Sequence, residues 1–173
     1  MNVIFLDRDG VINKEVGYLH KIEDFKFIDG VFDACLDFQS FSYQIIIVTN
    51  QSGIERGYYT EEDFQTVTEW MLDQFKQHNI QILDVFFCPH APESNCSCRK
   101  PKPGMFNQAN DKYDIDMKNS WMIGDKEADI QAANAAGISN TVLVKSGHKI
   151  DELDSNAKYI LGSINKSQQV IMN

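Results

Sequence analysis

An α/β fold with a mostly parallel sheet is predicted for this chain, and three observations support it. Short apolar runs of strand length alternate with longer amphipathic stretches, the order that places helices on both faces of a parallel sheet. The 173 residues suffice for one domain with a substantial core. The sequence contains no repeat, low-complexity segment or linker that would divide it. We therefore expect a single three-layer, Rossmann-like domain over residues 1–173.

Each predicted strand is a short apolar run, and each predicted helix is an amphipathic stretch. The predicted strands are Val3–Leu6, Ile45–Val48, Ile82–Phe87, Ser120–Ile123, Thr141–Val144 and a less apolar sixth at Lys158–Leu161. The predicted helices are Phe32–Phe41, Glu61–His78, Gly104–Tyr113 and Lys126–Ala136, with a short last helix after Ser163. Thr60 has the features of an N-cap, and Gly137 those of a C-cap glycine. Residues 89–103 remain as a long irregular stretch rich in Pro and Cys, which needs a structural reason.

Composition disfavours polyanionic partners and membranes. The formal net charge is −9, which argues against a nucleic-acid or anionic-membrane surface. No apolar run approaches the roughly 20 residues of a membrane helix, and the N-terminus lacks the features of a signal peptide. We expect a cytoplasmic protein that binds neither nucleic acid nor membrane, and a monomer as the simplest state.

An acidic pair, Asp7 and Asp9, directly follows the first predicted strand. Side chains alternate along a strand, so both carboxylates would point to one side before Gly10 lets the chain turn. Two crowded acids repel each other, and a divalent cation commonly removes that repulsion. The pair therefore indicates metal-assisted chemistry, and a simple capping turn is the alternative.

Polar groups also follow the next predicted strands. Residues 49–53 come after the second strand, Lys100 lies in the loop after the third, and residues 124–129 follow the fourth. Each group alone is typical of an ordinary cap or turn. Active sites of parallel sheets lie at the carboxyl ends of the strands, so four such groups in order predict one shared site.

Three of the four cysteines cluster with a histidine in the irregular stretch. Three thiolates and one imidazole form a closed tetrahedral zinc set, and in a reducing compartment such clustering indicates metal rather than a disulfide. The alternative, a redox pair or unconnected thiols, leaves the histidine unexplained. We predict a structural Zn²⁺ in a loop of about residues 88–99, with Cys35 in the core instead. The predicted zinc ligands are Cys88, His90, Cys96 and Cys98.

These motifs resemble those of the haloacid dehalogenase (HAD) superfamily. Asp7-x-Asp9-Gly10, Thr49, Lys100 and Gly124-Asp125-x-x-x-Asp129 match its four motifs across nearly the whole chain. Longer strings at residues 5–13, 48–54 and 98–105 are similar to the subgroup that contains heptose bisphosphate phosphatases and histidinol-phosphate phosphatases. The resemblance implies a Mg²⁺-dependent phosphatase that forms an aspartyl phosphate, and members with this cysteine arrangement carry a zinc loop.

The resemblance also implies a role for each motif residue. Asp7 would be the nucleophile and Asp9 the general acid and base. Thr49 and Lys100 would hold the transferring phosphoryl group. Mg²⁺ would bind Asp7, Asp125 and the backbone carbonyl of Asp9.

The predicted substrate contacts surround these residues. Arg99 can bind a second phosphate in bidentate fashion, and Lys126 opens a helix whose dipole favours an anion. The basic run of Arg99, Lys100 and Lys102 suits one small anion, although a solvated turn explains it equally well. The full predicted set is Glu15, Val16, Gly17, Tyr18, Asn50, Gln51, Ser52, Arg99 and Lys126.

Several roles stay open. Residues 15–18 resemble the subgroup's substrate loop, or form a simple connection in which Tyr18 packs. Asp129 either braces the site or Lys100, or is an exposed helix acid. Arg56 is either an extra anion contact or a surface residue. No role is assigned to the remaining histidines, His20, His78 and His148.

The spacing leaves no room for a large cap domain, because Thr49 comes 40 positions after Asp9 and Lys100 comes 51 after Thr49. The resemblance implies hydrolysis of the C7 phosphate of D-glycero-D-manno-heptose 1,7-bisphosphate, giving heptose 1-phosphate for nucleotide-activated heptose and surface polysaccharide synthesis. Arg99 and Lys126 suit a second anionic group, which histidinol phosphate lacks, although Glu15 keeps a histidinol-phosphate phosphatase open. A non-catalytic zinc-loop module is the alternative of a different class. The sequence does not choose between the two anomers.

Overall fold

A computed structural model describes residues 1–172, leaving Asn173 of the predicted domain outside the described residues. It contains one six-stranded sheet and five α-helices among these residues. The strands are β1 (Val3–Leu6), β2 (Gln44–Asn50), β3 (Ile82–Cys88), β4 (Trp121–Gly124), β5 (Asn140–Val144) and β6 (Tyr159–Leu161). The helices are α1 (Val31–Ser40), α2 (Glu61–Gln77), α3 (Gly104–Tyr113), α4 (Glu127–Ala135) and α5 (Gln168–Ile171).

The sheet is parallel throughout, in the order β3-β2-β1-β4-β5-β6. From β1 the chain adds β2 and β3 on one side, and it then returns to add β4, β5 and β6 on the other side. The strand order therefore reverses at β1, and the crevice beyond the carboxyl ends of β1, β2 and β4 is where such sheets bind ligands.

Helices cover both faces of the sheet, as the alternation of side chains on β1 shows. Ile4 and Leu6 pack with residues of α1, α2 and α5, whereas Val3 and Phe5 pack with residues of α3 and α4. All four side chains are completely buried. The predicted three-layer α/β arrangement with a mostly parallel sheet is confirmed.

Every predicted strand and helix is present, but some ends differ from the prediction. Thr49 and Asn50 do not follow β2; they are its last residues and pair with Phe87 and Cys88 of β3. Lys126 is the extended residue before α4 rather than its first helical residue. Thr60 caps α2 as predicted, since its hydroxyl accepts from the Asp63 backbone at 3.0 Å.

No additional domain interrupts the sheet within residues 1–172. The segment between β1 and α1 runs across the sheet's carboxyl edge and is fixed by two isolated bridges, from Asn13 to Asp9 and to Phe27. The cleft described below is therefore bounded by loops rather than by a large cap. Among the described residues, no helix is long and apolar enough to cross a membrane.

Candidate active site

A cleft of about 300 Å³ opens at the carboxyl edge of the sheet. The predicted catalytic residues that line it are Asp7, Asp9 and Lys100. The predicted substrate-binding residues that line it are Glu15, Gly17, Tyr18, Asn50, Gln51, Ser52, Arg99 and Lys126. Asp129 and two residues without a firm prediction, Arg56 and His148, also line the cleft. Groups separated by up to 141 positions in sequence, as Asp7 and His148 are, thus meet in one place.

Asp7 lies at the tip of β1 with only 7% of its surface exposed. Its Oδ1 atom accepts from the backbone of Arg8 at 2.8 Å and lies 3.1 Å from Lys100 Nζ. Burial raises the pKa of Asp7 well above its usual value, and the carboxylates of Asp129 and Asp125 add to this while Lys100 opposes it. A further cation beside Asp7 would relieve this unfavourable burial of negative charge.

Polar contacts hold both the side chain and the backbone of Lys100 in place. Its Nζ atom lies 2.6 Å from Asp129 Oδ1 and donates to the carbonyl of Val48 at 2.7 Å. The side-chain amide of Asn50 both donates to and accepts from the Lys100 backbone, each at 3.1 Å. Burial disfavours the charge, but Asp129 and Asp7 outweigh it and raise the pKa of Lys100. Lys100 therefore offers a fixed positive charge next to Asp7.

Asp129 is 1% exposed, so its interpretation as an exposed helix acid is wrong. Besides its ion pair with Lys100, its Oδ2 atom accepts from the backbones of Asp125 and Lys126 at 3.1 and 3.0 Å. These three contacts join the loop after β3 to the start of α4. They agree with the prediction that Asp129 braces Lys100.

Asp9 is held by three donors on its own side of the cleft. Arg8 Nη2 lies 3.0 Å from both carboxylate oxygens, and the amides of Asn13 and Gln51 donate at 3.0 and 3.2 Å. Burial works in the opposite direction, but the charge of Arg8 and these hydrogen bonds lower the pKa of Asp9. Gln51 also donates to Thr49 Oγ1 at 2.9 Å, so one amide joins the acid of β1 to the hydroxyl of β2.

Asp125 directly follows β4, the strand that pairs with β1, and it is completely buried. Its Oδ1 atom has no hydrogen-bond partner among the described residues. One carboxylate oxygen from each of Asp7, Asp125 and Asp129 lies within 4.8 Å of the others. Buried carboxylates with an unpartnered oxygen match the hard oxygen ligands that Mg²⁺ prefers. The donor set of Asp7 and Asp125 therefore fits a divalent cation.

The structure gives His148 a contact that the sequence analysis did not predict. Its Nδ1 atom lies 2.6 Å and its backbone nitrogen 2.9 Å from Asp125 Oδ2. The imidazole is on a loop after β5, 23 positions beyond Asp125, and nothing in the local sequence marks it. The two residues meet because they follow β4 and β5, which are adjacent parallel strands.

The four predicted zinc ligands converge in the loop after β3. The contacts of His90 Nδ1 with Cys88 Sγ and Cys98 Sγ are 3.5 and 3.3 Å, and Cys88 Sγ lies 3.6 Å from Cys96 Sγ. These separations are near the edge of about 3.8 Å of a tetrahedron with zinc–sulfur bonds of about 2.3 Å, whereas Cys88 Sγ and Cys98 Sγ are closer, at 2.9 Å. Against the effect of burial, hydrogen bonds from the Arg99 backbone and from the other thiols lower the pKa of Cys96 to about 6. Burial raises the pKa of Cys88 and of Cys98, so Cys96 is the thiol that most readily forms a thiolate before a metal binds.

Three predicted residues differ in position from the rest. Val16 is 53% exposed and does not line the cleft, while Thr49 is completely buried beneath it. Lys102 does not join Arg99 and Lys100 at the cleft, because its Nζ atom donates to Asn95 Oδ1 and the Cys96 carbonyl at 2.9 and 2.7 Å. The basic run thus divides, with two residues facing the cleft and one tying the loop to itself.

Comparisons with known proteins agree with this arrangement. A family model described as HAD-hydrolase-like matches residues 97–166. A D-glycero-alpha-D-manno-heptose-1,7-bisphosphate 7-phosphatase from Photorhabdus laumondii is 49% identical over 164 residues, covering 91% of this chain and 90% of the relative. A D-glycero-beta-D-manno-heptose-1,7-bisphosphate 7-phosphatase from Escherichia coli K12 is 44% identical, covering 97% of this chain and 92% of the relative.

Among solved structures, a D,D-heptose 1,7-bisphosphate phosphatase from B. bronchiseptica, complexed with magnesium and phosphate, superposes with a TM-score of 0.88. It is 26% identical, and the match covers 99% of this chain and 98% of that one. The sequence relatives and the structural neighbour agree in family and span nearly the full length. The chain belongs to the HAD-like phosphatase family that includes the heptose-1,7-bisphosphate 7-phosphatases.

Proposed function

We propose that this chain hydrolyses the C7 phosphate of D-glycero-D-manno-heptose 1,7-bisphosphate and releases heptose 1-phosphate. The observation that carries the proposal is the environment of Asp7, whose carboxylate lies 3.1 Å from Lys100 and within 4.8 Å of a carboxylate oxygen of Asp125, a residue with one unpartnered oxygen. A carboxylate in this position can approach a phosphate whose charge is balanced by Lys100 and by a cation held at Asp125. The identity of the sugar in this proposal comes from the names of the relatives. We propose that the single domain over residues 1–173 contains all the residues of the site.

In the proposed reaction, Asp7 attacks phosphorus and forms an aspartyl phosphate while Asp9 gives its proton to the departing sugar oxygen. Thr49 and Lys100 hold the phosphoryl oxygens during the transfer. Asp9 then takes a proton from the water that hydrolyses the aspartyl phosphate. Its lowered pKa suits this second step, and the negative phosphate beside it favours the protonated form in the first.

Asp7, Asp125 and the backbone carbonyl of Asp9 would hold Mg²⁺ in this proposal. When bound, the ion neutralises charge between carboxylate and phosphate and stabilises the charge that develops in the transition state. Asp129 stays with Lys100 and with the backbone nitrogens of Asp125 and Lys126 just before α4, so it orients the cation-binding loop without joining the ligands. Wild-type enzyme freed of Mg²⁺ is expected to regain activity on its addition.

The second phosphate of the substrate would bind at Arg99 and Lys126. Arg99 and Lys126 line the same cavity as Asp7, and so do Ser52 and Tyr18 of the predicted substrate set. A guanidinium recognises a phosphate through paired hydrogen bonds, and the N-terminus of α4 favours negative charge. Asn50 and Gln51 act differently, since their amides are occupied by Lys100, Thr49 and Asp9 and therefore position the catalytic groups.

We also propose that the cysteine and histidine set binds a structural Zn²⁺. Arg99 Nη1 donates to the carbonyl of His90 at 3.3 Å, so the ligand loop and the guanidinium are directly connected. Zinc would fix the loop and thereby the direction of Arg99 and Lys100. Such a thiolate set requires a reducing compartment, which supports a cytoplasmic enzyme, and we expect it to act as a monomer.

The decisive experiment is phosphate release from a panel of substrates with purified enzyme and Mg²⁺. The panel contains both anomers of the heptose bisphosphate, histidinol phosphate and a 3′-phosphorylated oligonucleotide. We expect kcat/KM to be highest for a heptose bisphosphate, because histidinol phosphate offers no second anion to Arg99 and Lys126 and the net charge of −9 repels a polyanion such as the oligonucleotide. A preference for histidinol phosphate would replace the proposed substrate. Because relatives of the alpha and beta type are 49% and 45% identical to this chain, the same panel also decides the anomer.

A further inference from the structure

The loop after β5, residues 146–148, packs directly against Asp125 and has no role in the reaction described above. His148 Nδ1 and the His148 backbone nitrogen lie 2.6 and 2.9 Å from the same atom, Asp125 Oδ2. Both nitrogens can donate to a carboxylate, and a hydrogen bond from a neutral imidazole fixes which ring nitrogen carries the proton. One carboxylate oxygen is therefore held twice, by one residue.

The other oxygen of this carboxylate is left free for a different partner. Asp125 Oδ1 is buried and has no hydrogen-bond partner among the described residues. A carboxylate can rotate about its last bond and exchange its two oxygens, unless one of them is fixed. Asp125 contributes one carboxylate oxygen to the group that it forms with Asp7 and Asp129. With Oδ2 held by His148, Oδ1 is the oxygen that remains to bind a cation there.

The backbone of the loop is itself fixed against β1's turn. Ser146 Oγ donates to the Gly10 carbonyl at 2.7 Å. A Cβ atom on Gly147 would lie 2.1 Å from Asp125 Oδ2 and 2.7 Å from the Gly10 Cα, so only glycine fits there. Gly10 is equally constrained, since its Cβ would lie 2.3 Å from the same oxygen. Loop, turn and carboxylate thus form one tightly packed unit.

We propose that His148, carried on this loop, is a positioning residue that orients Asp125 so that Oδ1 is presented to the catalytic Mg²⁺. The inference rests on the proposed function only in taking Mg²⁺ as the cation. Hydrogen bonds to the non-ligating atoms of metal ligands fix ligand direction, and their loss commonly weakens metal affinity about 10- to 100-fold. His148 does not contact the ion or the substrate phosphate in this proposal; it acts through Asp125.

The test is direct calorimetric titration of Mg²⁺ into the substrate-free enzyme, dialysed rather than treated with a chelator so that the zinc loop stays intact. We expect His148→Ala to weaken the Mg²⁺ Kd by about 10-fold. His148→Asn places its amide nitrogen the same number of bonds from the backbone as Nδ1, and we expect it to retain Mg²⁺ affinity within about threefold of wild type. His78→Ala is the matched control, because His78 stacks on Phe32 with ring centroids 3.8 Å apart, outside the cleft.

Two results would overturn the inference. One is wild-type Mg²⁺ affinity in His148→Ala, and the other is equal weakening in His148→Asn and His148→Ala, which would deny a role to the donor at Nδ1. His148 is 38% exposed, so its replacement is not expected to unfold the protein, and a thermal melt of each variant checks this. The substrate panel measures phosphate release and is independent of this titration. A wrong sugar assignment would leave the His148 result valid, and a negative His148 result would leave the sugar assignment valid.

Discussion

Lys100 joins three parts of the site through a single ammonium group. Its ammonium reaches Asp7, Asp129 and the Val48 carbonyl at 3.1, 2.6 and 2.7 Å. A buried cation is strongly destabilising only when its partners are removed, and here it has more than one. A neutral residue in place of Asp7 would therefore leave Lys100 paired with Asp129.

Asp7→Asn should abolish turnover without unfolding the protein. An amide of the same shape cannot attack phosphorus, so we expect kcat to fall by at least about 10³-fold, in line with losses seen when a nucleophile is removed. Because Lys100 keeps Asp129, the unfolding temperature should change by only a few degrees, roughly the effect of 1 kcal/mol. Phosphate release and a thermal melt measure both, and near wild-type release would contradict the nucleophilic role.

The loop after β3 is attached to the rest of the cleft at several points besides its cysteines. The Glu55 carboxylate accepts from the Ser94 hydroxyl at 2.5 Å and from the Ala91 backbone, and its own backbone donates to the Pro89 carbonyl at 3.1 Å. These contacts join the loop to the turn after β2. The loop would therefore remain near the cleft without zinc, but the direction of Arg99 at its end depends on His90.

Loss of zinc should impair catalysis through geometry rather than through folding. We expect Cys96→Ser to lower the zinc content from about one ion per chain and to reduce kcat/KM by up to about 10²-fold, because a displacement of about 1 Å at substrate-positioning groups has that effect. Elemental analysis and phosphate release measure the two quantities. Cys35→Ala is the matched control, since Cys35 is buried in the core on α1 and should leave the zinc content unchanged. Full zinc in Cys96→Ser would remove Cys96 from the ligand set.

The parts of the molecule that the sequence predicts are those encoded by local patterns. Apolar runs predict the strands, and parallel strands bring residues at their carboxyl ends together, so the sequence alone predicts that Asp7 and Lys100 lie in one cleft. Contacts between loops have no such pattern. His148 meets Asp125 only because β4 and β5 are neighbours, and Lys102 turns away from the cleft because acceptors in its own loop are nearer.

Arg8 illustrates a further limit of local patterns. It is 1% exposed, although arginine is seldom fully buried, and it lies with its guanidinium carbon 5.8 Å from the centre of the Phe64 ring. Its burial depends on Asp9 and the Leu19 carbonyl, which accept from Nη2. The segment that supplies Leu19 has no helix or strand pattern of its own, so the sequence gives no signal for this contact.

Charge is distributed unevenly over the whole molecule. The chain carries a formal net charge of −9, yet Arg56, Arg99, Lys100 and Lys126 all line one cleft. The surrounding negative charge repels polyanions. The four cationic residues can pair with a small anion that enters, although Asp7, Asp9, Glu15 and Asp129 line the same cleft and balance their charge. Since no cap domain covers the cleft within residues 1–172, selection among phosphorylated sugars must come from these walls.

Arg99→Ala should therefore reduce activity on the bisphosphate far more than activity on a monophosphate such as fructose 6-phosphate. Loss of a charge-assisted contact with the second phosphate corresponds to about 1.5–3 kcal/mol, or about 10- to 100-fold in kcat/KM, and a monophosphate has no such contact to lose. Lys102→Ala removes a neighbouring positive charge that points away from the cleft, so the ratio of the two kcat/KM values should stay that of wild type. Equal losses on both substrates in Arg99→Ala would mean that Arg99 only supports the loop and does not contact the second phosphate. Selectivity would then depend on Lys126, at the start of α4.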